Sequence, residues 1–173
     1  MSIQDWGAVG EIVGAIAVVV TLLYLAGQIR QNTQVARSAA RQAITQGATD
    51  FARNLTESGE LTDLLHRSLD GQALEPNEML RVQAFFYMTM RQYENIHYQH
   101  LSGMLDDADW SGFRENLKGL FGTTLCYDYW GMEHQFYNPT FQGLVKQIIS
   151  ELQVERGVTS EVTPEVDRFP KYS

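Results

Sequence analysis

The chain has 173 residues, a net charge of −8, 44% hydrophobic residues and 11% aromatics. The acidic balance argues against a nucleic-acid binder, which carries a basic stripe, and the aromatic content is too high for a disordered tail. Cys126 is the only cysteine, so no intramolecular disulfide forms, which fits a reducing cytoplasm, and the length suits an apolar segment plus one modest domain.

Residues 6–27 read WGAVGEIVGAIAVVVTLLYLAG. As a helix this stretch spans roughly 33 Å, the thickness of a bilayer's hydrocarbon core. Trp6 at one end, Tyr24 near the other and Arg30 just beyond are the residue types that sit at membrane interfaces. A buried helix of a soluble domain is the alternative, but the apolar run from Ile12 to Ala26 is long for a domain of this size. A cleaved signal peptide would need a basic flank before the run, where the chain has Asp5 and no Lys or Arg. The sequence therefore predicts a transmembrane anchor over residues 1–27. Arg30, Arg37 and Arg41 follow it, and the positive-inside rule places the N-terminus outside and the remaining domain in the cytoplasm.

Within the anchor, Gly7, Gly10, Glu11, Gly14, Ala17 and Thr21 fall on one side of a helix, and Ile12, Ile16, Val19 and Leu23 on the other. The bulky side suits lipid. The small side, with Gly10-x-x-x-Gly14, suits close approach of another membrane protein or a second copy of the chain. Glu11 is the one charged residue between Trp6 and Gly27. It contacts a partner helix, reaches back to the headgroups or handles a proton, since a charge inside the bilayer is costly.

No proline interrupts residues 28–55. Ile29, Thr33, Ala36, Ala40, Ile44, Gly47, Phe51 and Leu55 recur at steps of three and four, one face of a helix, so the anchor is expected to continue into a long helix. Its small residues suit a self-coiled stalk and packing against the domain alike. A break is predicted at Glu57-Ser58-Gly59. A short helix with Leu61, Leu64, Leu65 and Leu69 then ends at Asp70-Gly71. Pro76 and Glu78 mark the start of the next helix, running to about Leu101. Asp106 to Asp109 caps a helix carrying Trp110, Phe113, Leu117 and Phe121. A further helix is expected over roughly 124–137. Asn138-Pro139 restarts the chain into a last helix striped by Phe141, Leu144, Val145, Ile148, Ile149 and Leu152 and ended by Gly157. No alternating strand pattern occurs. The fold class read from the sequence is all-α: the anchor and its extension, then about five helices in a compact domain over residues 28–157, and an extended tail over residues 158–173.

The opening WGAVGEIVGAIAVVVTLLYLAGQIRQNT resembles the start of an uncharacterised family of bacterial membrane proteins, a Trp-Gly-rich apolar helix ending in Tyr-Leu-x-x-Gln-Ile-Arg-x-Asn-Thr. Tyr127, Tyr129 and Trp130, followed by Tyr137, Asn138, Pro139 and Phe141, are similar to a Tyr-x-Tyr-Trp and aromatic-Pro-x-Phe step in that family's C-terminal half. The resemblance implies a membrane-anchored helical protein, and with the predicted single span the expected location is the bacterial inner membrane. It implies no activity.

Three constellations bear on chemistry. Glu94, His97 and His100 are three apart and share a helical face; they are the candidate metal ligands. Di-iron bundles need Glu-x-x-His twice with two further Glu, and no second copy exists here, so no cofactor is expected and a core-edge histidine is the plainer reading. Cys126, Asp128 and His134 suggest a nucleophile and base, but Cys126 and His134 are two helical turns apart, too far to hydrogen-bond within one helix. Tyr127, Trp130 and Tyr137, with Tyr129, Phe136 and Phe141, form an aromatic cluster that is either a ligand or partner groove or a core seam. No phosphate loop, serine elbow or zinc-ligand spacing is present. The leading expectation is a membrane-anchored interaction or accessory protein without catalytic residues. The alternative is a ligand sensor or metal-dependent enzyme built on the histidine helix and the aromatics.

Overall fold

The computed structural model of the chain describes residues 3–156. The expected tail over residues 158–173 lies outside the described residues, as do Gly157 and the side chain of Trp6. The helices are α1 (Ile3–Glu57), α2 (Gly59–Leu69), α3 (Pro76–Leu101), α4 (Asp107–Phe121), α5 (Thr124–Glu133) and α6 (Pro139–Glu155), with a 3-10 turn at His134–Phe136. The described residues contain no strand. The chain divides into two compact units, one ending at Ala40 and the other beginning at Arg41.

The first unit is the greater part of α1. One stretch of α1 is long and apolar enough to cross a membrane, and none of that stretch is buried. Ile12, Ile16, Val19 and Leu23 are between 55% and 68% exposed. Gly7, Gly10, Glu11, Gly14, Ala17 and Thr21 are exposed as well. Thr21 Oγ1 donates back to the Ala17 carbonyl at 2.8 Å, and Gln28 Nε2 donates to Tyr24 Oη at 2.7 Å.

In the second unit each helix starts where its polar residues satisfy free N–H groups. Ser58 accepts from Leu61 N, Asp106 from Asp109 N and Asn138 from Thr140 N. Pro76 and Pro139 open α3 and α6, where a missing N–H costs nothing. Gly71 and Gly103 close α2 and α3 at φ of 73° and 70°, the left-handed conformation that glycine adopts without strain. The helix expected over 124–137 instead stops at Glu133 and tightens into the 3-10 turn.

The main core draws on every helix after α1. Leu64 of α2, Val82, Phe86 and Met90 of α3, Leu117 and Phe121 of α4, Cys126 and Tyr129 of α5, and Phe141, Val145 and Ile148 of α6 are buried together. A second, smaller core joins Ile44, Ile96 and Leu105, with Tyr93, Trp110 and Phe113 against them. Ion pairs brace the helices from outside: Arg67 to Glu78 at 2.8 Å, Arg81 to Glu60, and Arg114 to Glu151 at 2.5 Å. The small-residue stripe of α1 has two fates. Ile29, Thr33 and Ala36 are exposed, whereas Ile44 is buried and Gly47, Phe51 and Leu55 are half-buried.

Candidate functional site

Glu94 sits near the end of α3 with both carboxylate oxygens engaged. Oε1 accepts from the backbone N–H of Asn138 at 2.6 Å, and Oε2 accepts from Arg91 at 2.6 Å. Arg91 also donates to the Phe136 carbonyl at 3.0 Å. Its guanidinium lies 4.5 Å from the centre of the Tyr137 ring and 5.2 Å from that of Tyr87, within cation–π range. Glu94 and Arg91 therefore clamp the 3-10 turn and the start of α6 onto α3. A carboxylate at a helix N-terminus also meets the favourable end of the helix dipole.

The two histidines turn elsewhere. His97 is 8% exposed, and its ring stacks on Trp110 at 5.3 Å and lies 6.0 Å from Phe141. Burial, and to a lesser degree His100, pushes its pKa below the ordinary histidine value, so the ring is neutral at pH 7. His100 stacks on the same indole at 4.9 Å. Its Nδ1 is buried without a hydrogen-bond partner, and Asp107 Oδ1 lies 3.9 Å away. The sequence places Glu94, His97 and His100 on one face, and the fold separates them: the carboxylate serves α6 and the imidazoles serve Trp110 of α4. Among the described residues, no three His, Cys, Asp or Glu are grouped to hold a metal ion.

Cys126 is fully buried, and desolvation pushes its thiol pKa up, which makes it an inert core residue rather than a nucleophile. His134, two turns on, has its Nδ1 3.2 Å from the Trp130 carbonyl. The groove considered at Tyr127, Trp130 and Tyr137 is a filled seam. Trp130 and Tyr137 are 7% and 3% exposed. Trp130 meets Phe121 and Phe141 edge-on, at 5.8 Å in each case, the favoured geometry for ring quadrupoles. Tyr129 and Tyr137 share a buried hydroxyl–hydroxyl hydrogen bond of 2.9 Å. Tyr127 is half-buried, and Phe136 alone of the cluster is largely exposed, at 61%.

A recess of about 610 Å³ opens between the second half of α3 and the start of α6, beside Glu94 and His97 but not His100. Two residues that organise this region, Arg91 and Trp110, are not singled out by sequence motifs. The i,i+3 spacing of Arg91 and Glu94 was the one available signal for the first. Nothing local marks Trp110 as the common partner of both histidines. No family model, no curated protein and no solved structure matches this chain.

Proposed function

We propose that this protein is a single-pass membrane-anchored interaction subunit whose helical domain faces the cytoplasm. The supporting observation is the exposure of α1 from Ile12 to Leu25, where large aliphatic side chains stand uncovered on all sides. In water such a surface would drive aggregation, whereas hydrocarbon covers it at no cost, and the length matches a bilayer. Arg30, Arg37 and Arg41 lie in a segment free of Asp and Glu from residue 12 to residue 49, which supports the cytoplasmic orientation. The resemblance of the opening helix to bacterial proteins supports the inner membrane as the site. The uncovered stripe of Gly7, Gly10, Glu11, Gly14, Ala17 and Thr21 is the surface proposed to meet a second copy or another membrane protein.

Two experiments test the reading. A membrane-impermeant thiol reagent should label Ser2→Cys but not Ser160→Cys in intact cells, and the opposite pattern overturns the orientation. Extraction in mild detergent should yield a complex larger than the single chain. Gly14→Ile, which blocks close approach without hindering insertion, should dissociate it. If Gly14→Ile and Glu11→Leu both leave the complex unchanged in size and composition, the helix is only an anchor.

A further inference from the structure

The recess between α3 and α6 is of a size that holds a small ligand, and its chemistry selects one class. His97 and Phe141 form its floor, 8% and 1% exposed. Its rim is exposed and mostly polar, with Asn95, Tyr98, Ser102, Asn138 and Thr140 beside the one apolar rim residue, Leu101. The only charges lining it, Arg91 and Glu94, are spent on each other at 2.6 Å and on the backbone of Phe136 and Asn138. The two charges cancel, so the lining offers a charged ligand no net opposite charge, and such a ligand would compete with the pair that holds the start of α6. The remaining groups are neutral and both donate and accept: the hydroxyls of Ser102, Thr140 and Tyr98, the amide of Asn95 and the imidazole of His97. Tyr98, 65% exposed, adds an aromatic face at the mouth, onto which the C–H surface of a ring can stack.

We propose that this recess binds a small uncharged ring compound bearing several hydroxyl groups, of which a mono- or disaccharide is the simplest. Hydroxyls match groups that donate and accept in turn, and a ring with one apolar face matches the aromatic side chains of Tyr98 and Phe141 in the lining. The site is independent of the membrane helix and does not rest on the interaction reading above.

The test uses the full chain in lipid nanodiscs and saturation-transfer NMR, with empty nanodiscs as the control. The probes are glucose, galactose, N-acetylglucosamine and maltose, with methyl phosphate and ethanolamine as charged comparators. At least one sugar should receive saturation, and neither charged probe should. Thr140→Tyr, at an exposed rim position, fills the recess without disturbing the core and should abolish the signal. His97→Phe keeps a ring against Trp110 and Phe141 while removing both ring nitrogens, and should weaken binding at least tenfold, about 1.4 kcal/mol. Should His97→Phe not fold, by far-UV circular dichroism, Asn95→Leu on the exposed rim replaces it. The proposal is overturned if no sugar is saturated, if a charged probe binds instead, or if binding is unchanged in either variant.

Discussion

Ile16 in α1 is 58% exposed and Ile148 in α6 is 0%, and Val19 and Val145 differ in the same way, 55% against 0%. The residue types are identical, and what differs is their arrangement along the helix. In α6 the apolar residues Phe141, Val145 and Ile148 recur at steps of four and three, so they form one stripe that faces one core. In α1 the run from Ile12 to Ala26 carries no charge on any face and is long for a domain of this size to bury. Hydrophobic content alone therefore does not determine burial in protein. A stripe calls for other helices, whereas the apolar run of α1 is long and apolar enough to cross a membrane.

The same contrast recurs within α1. Ile29 and Ile44 belong to one continuous series of helical steps, yet Ile29 is 65% exposed and Ile44 is 2%. Ile44 has Ile96 and Leu105 to pack against, with Tyr93, Trp110 and Phe113 around them. Arg41 adds a hydrogen-bonded ion pair to Asp109 at 2.6 Å, though an exposed pair of this kind contributes little to stability.

These contrasts can be broken experimentally. The largest effect is expected in the main core. Phe141→Ala should lower the stability of the bundle by about 3–5 kcal/mol in urea unfolding followed by tryptophan fluorescence, while Ile16→Ala should leave that transition in place. Equal losses would mean that the apolar part of α1 packs against the bundle after all. The next effect lies in the small core: Ile44→Ala should cost about 2–3 kcal/mol and Ile29→Ala less than about 0.5 kcal/mol. A comparable cost at Ile29 would point to a partner covering that end of the stripe.

The smallest effect is the pH dependence set by His97. Its folded-state pKa is lowered by burial, so the unfolded chain binds the proton more readily. The contribution is complete above about pH 6.5 and is lost as pH falls from there towards the folded-state value, with a slope of at most about 1.4 kcal/mol per pH unit. Unfolding midpoints measured between pH 7.5 and 5 should fall on acidification, and His97→Phe should flatten the curve. A midpoint that rises on acidification would mean that the imidazolium is the favoured form beside Trp110.

Much of the architecture was legible because its signals are local. Ser58, Pro76, Asp106 and Pro139 are punctuation readable within a few residues of the helices they start, and the stripes of α3, α4 and α6 carry their own period. The 3-10 turn at His134–Phe136 was not legible. Its conformation is tied to Arg91, whose hydrogen bond to Phe136 spans 45 residues of sequence, and no pattern near residue 134 announces that partner.

The candidate site divides along the same line. The shared helical face of Glu94, His97 and His100 follows from their spacing alone, because helix geometry fixes which residues are neighbours on one element. Where each side chain then goes depends on what the other helices bring to it. Asn138 offers Glu94 an unsatisfied N–H from 44 residues away, and Trp110 offers both imidazoles a flat apolar surface. The sequence by itself therefore determined the helices, their stripes and the segment long and apolar enough to cross a membrane, since these depend on composition and period along one chain. Only the tertiary structure decided that Tyr129, Trp130, Tyr137 and Phe141 of the aromatic cluster are core, that Glu94 is a clamp and that a recess remains beside His97. Those outcomes depend on which unsatisfied polar groups and which apolar surfaces meet when separate helices pack.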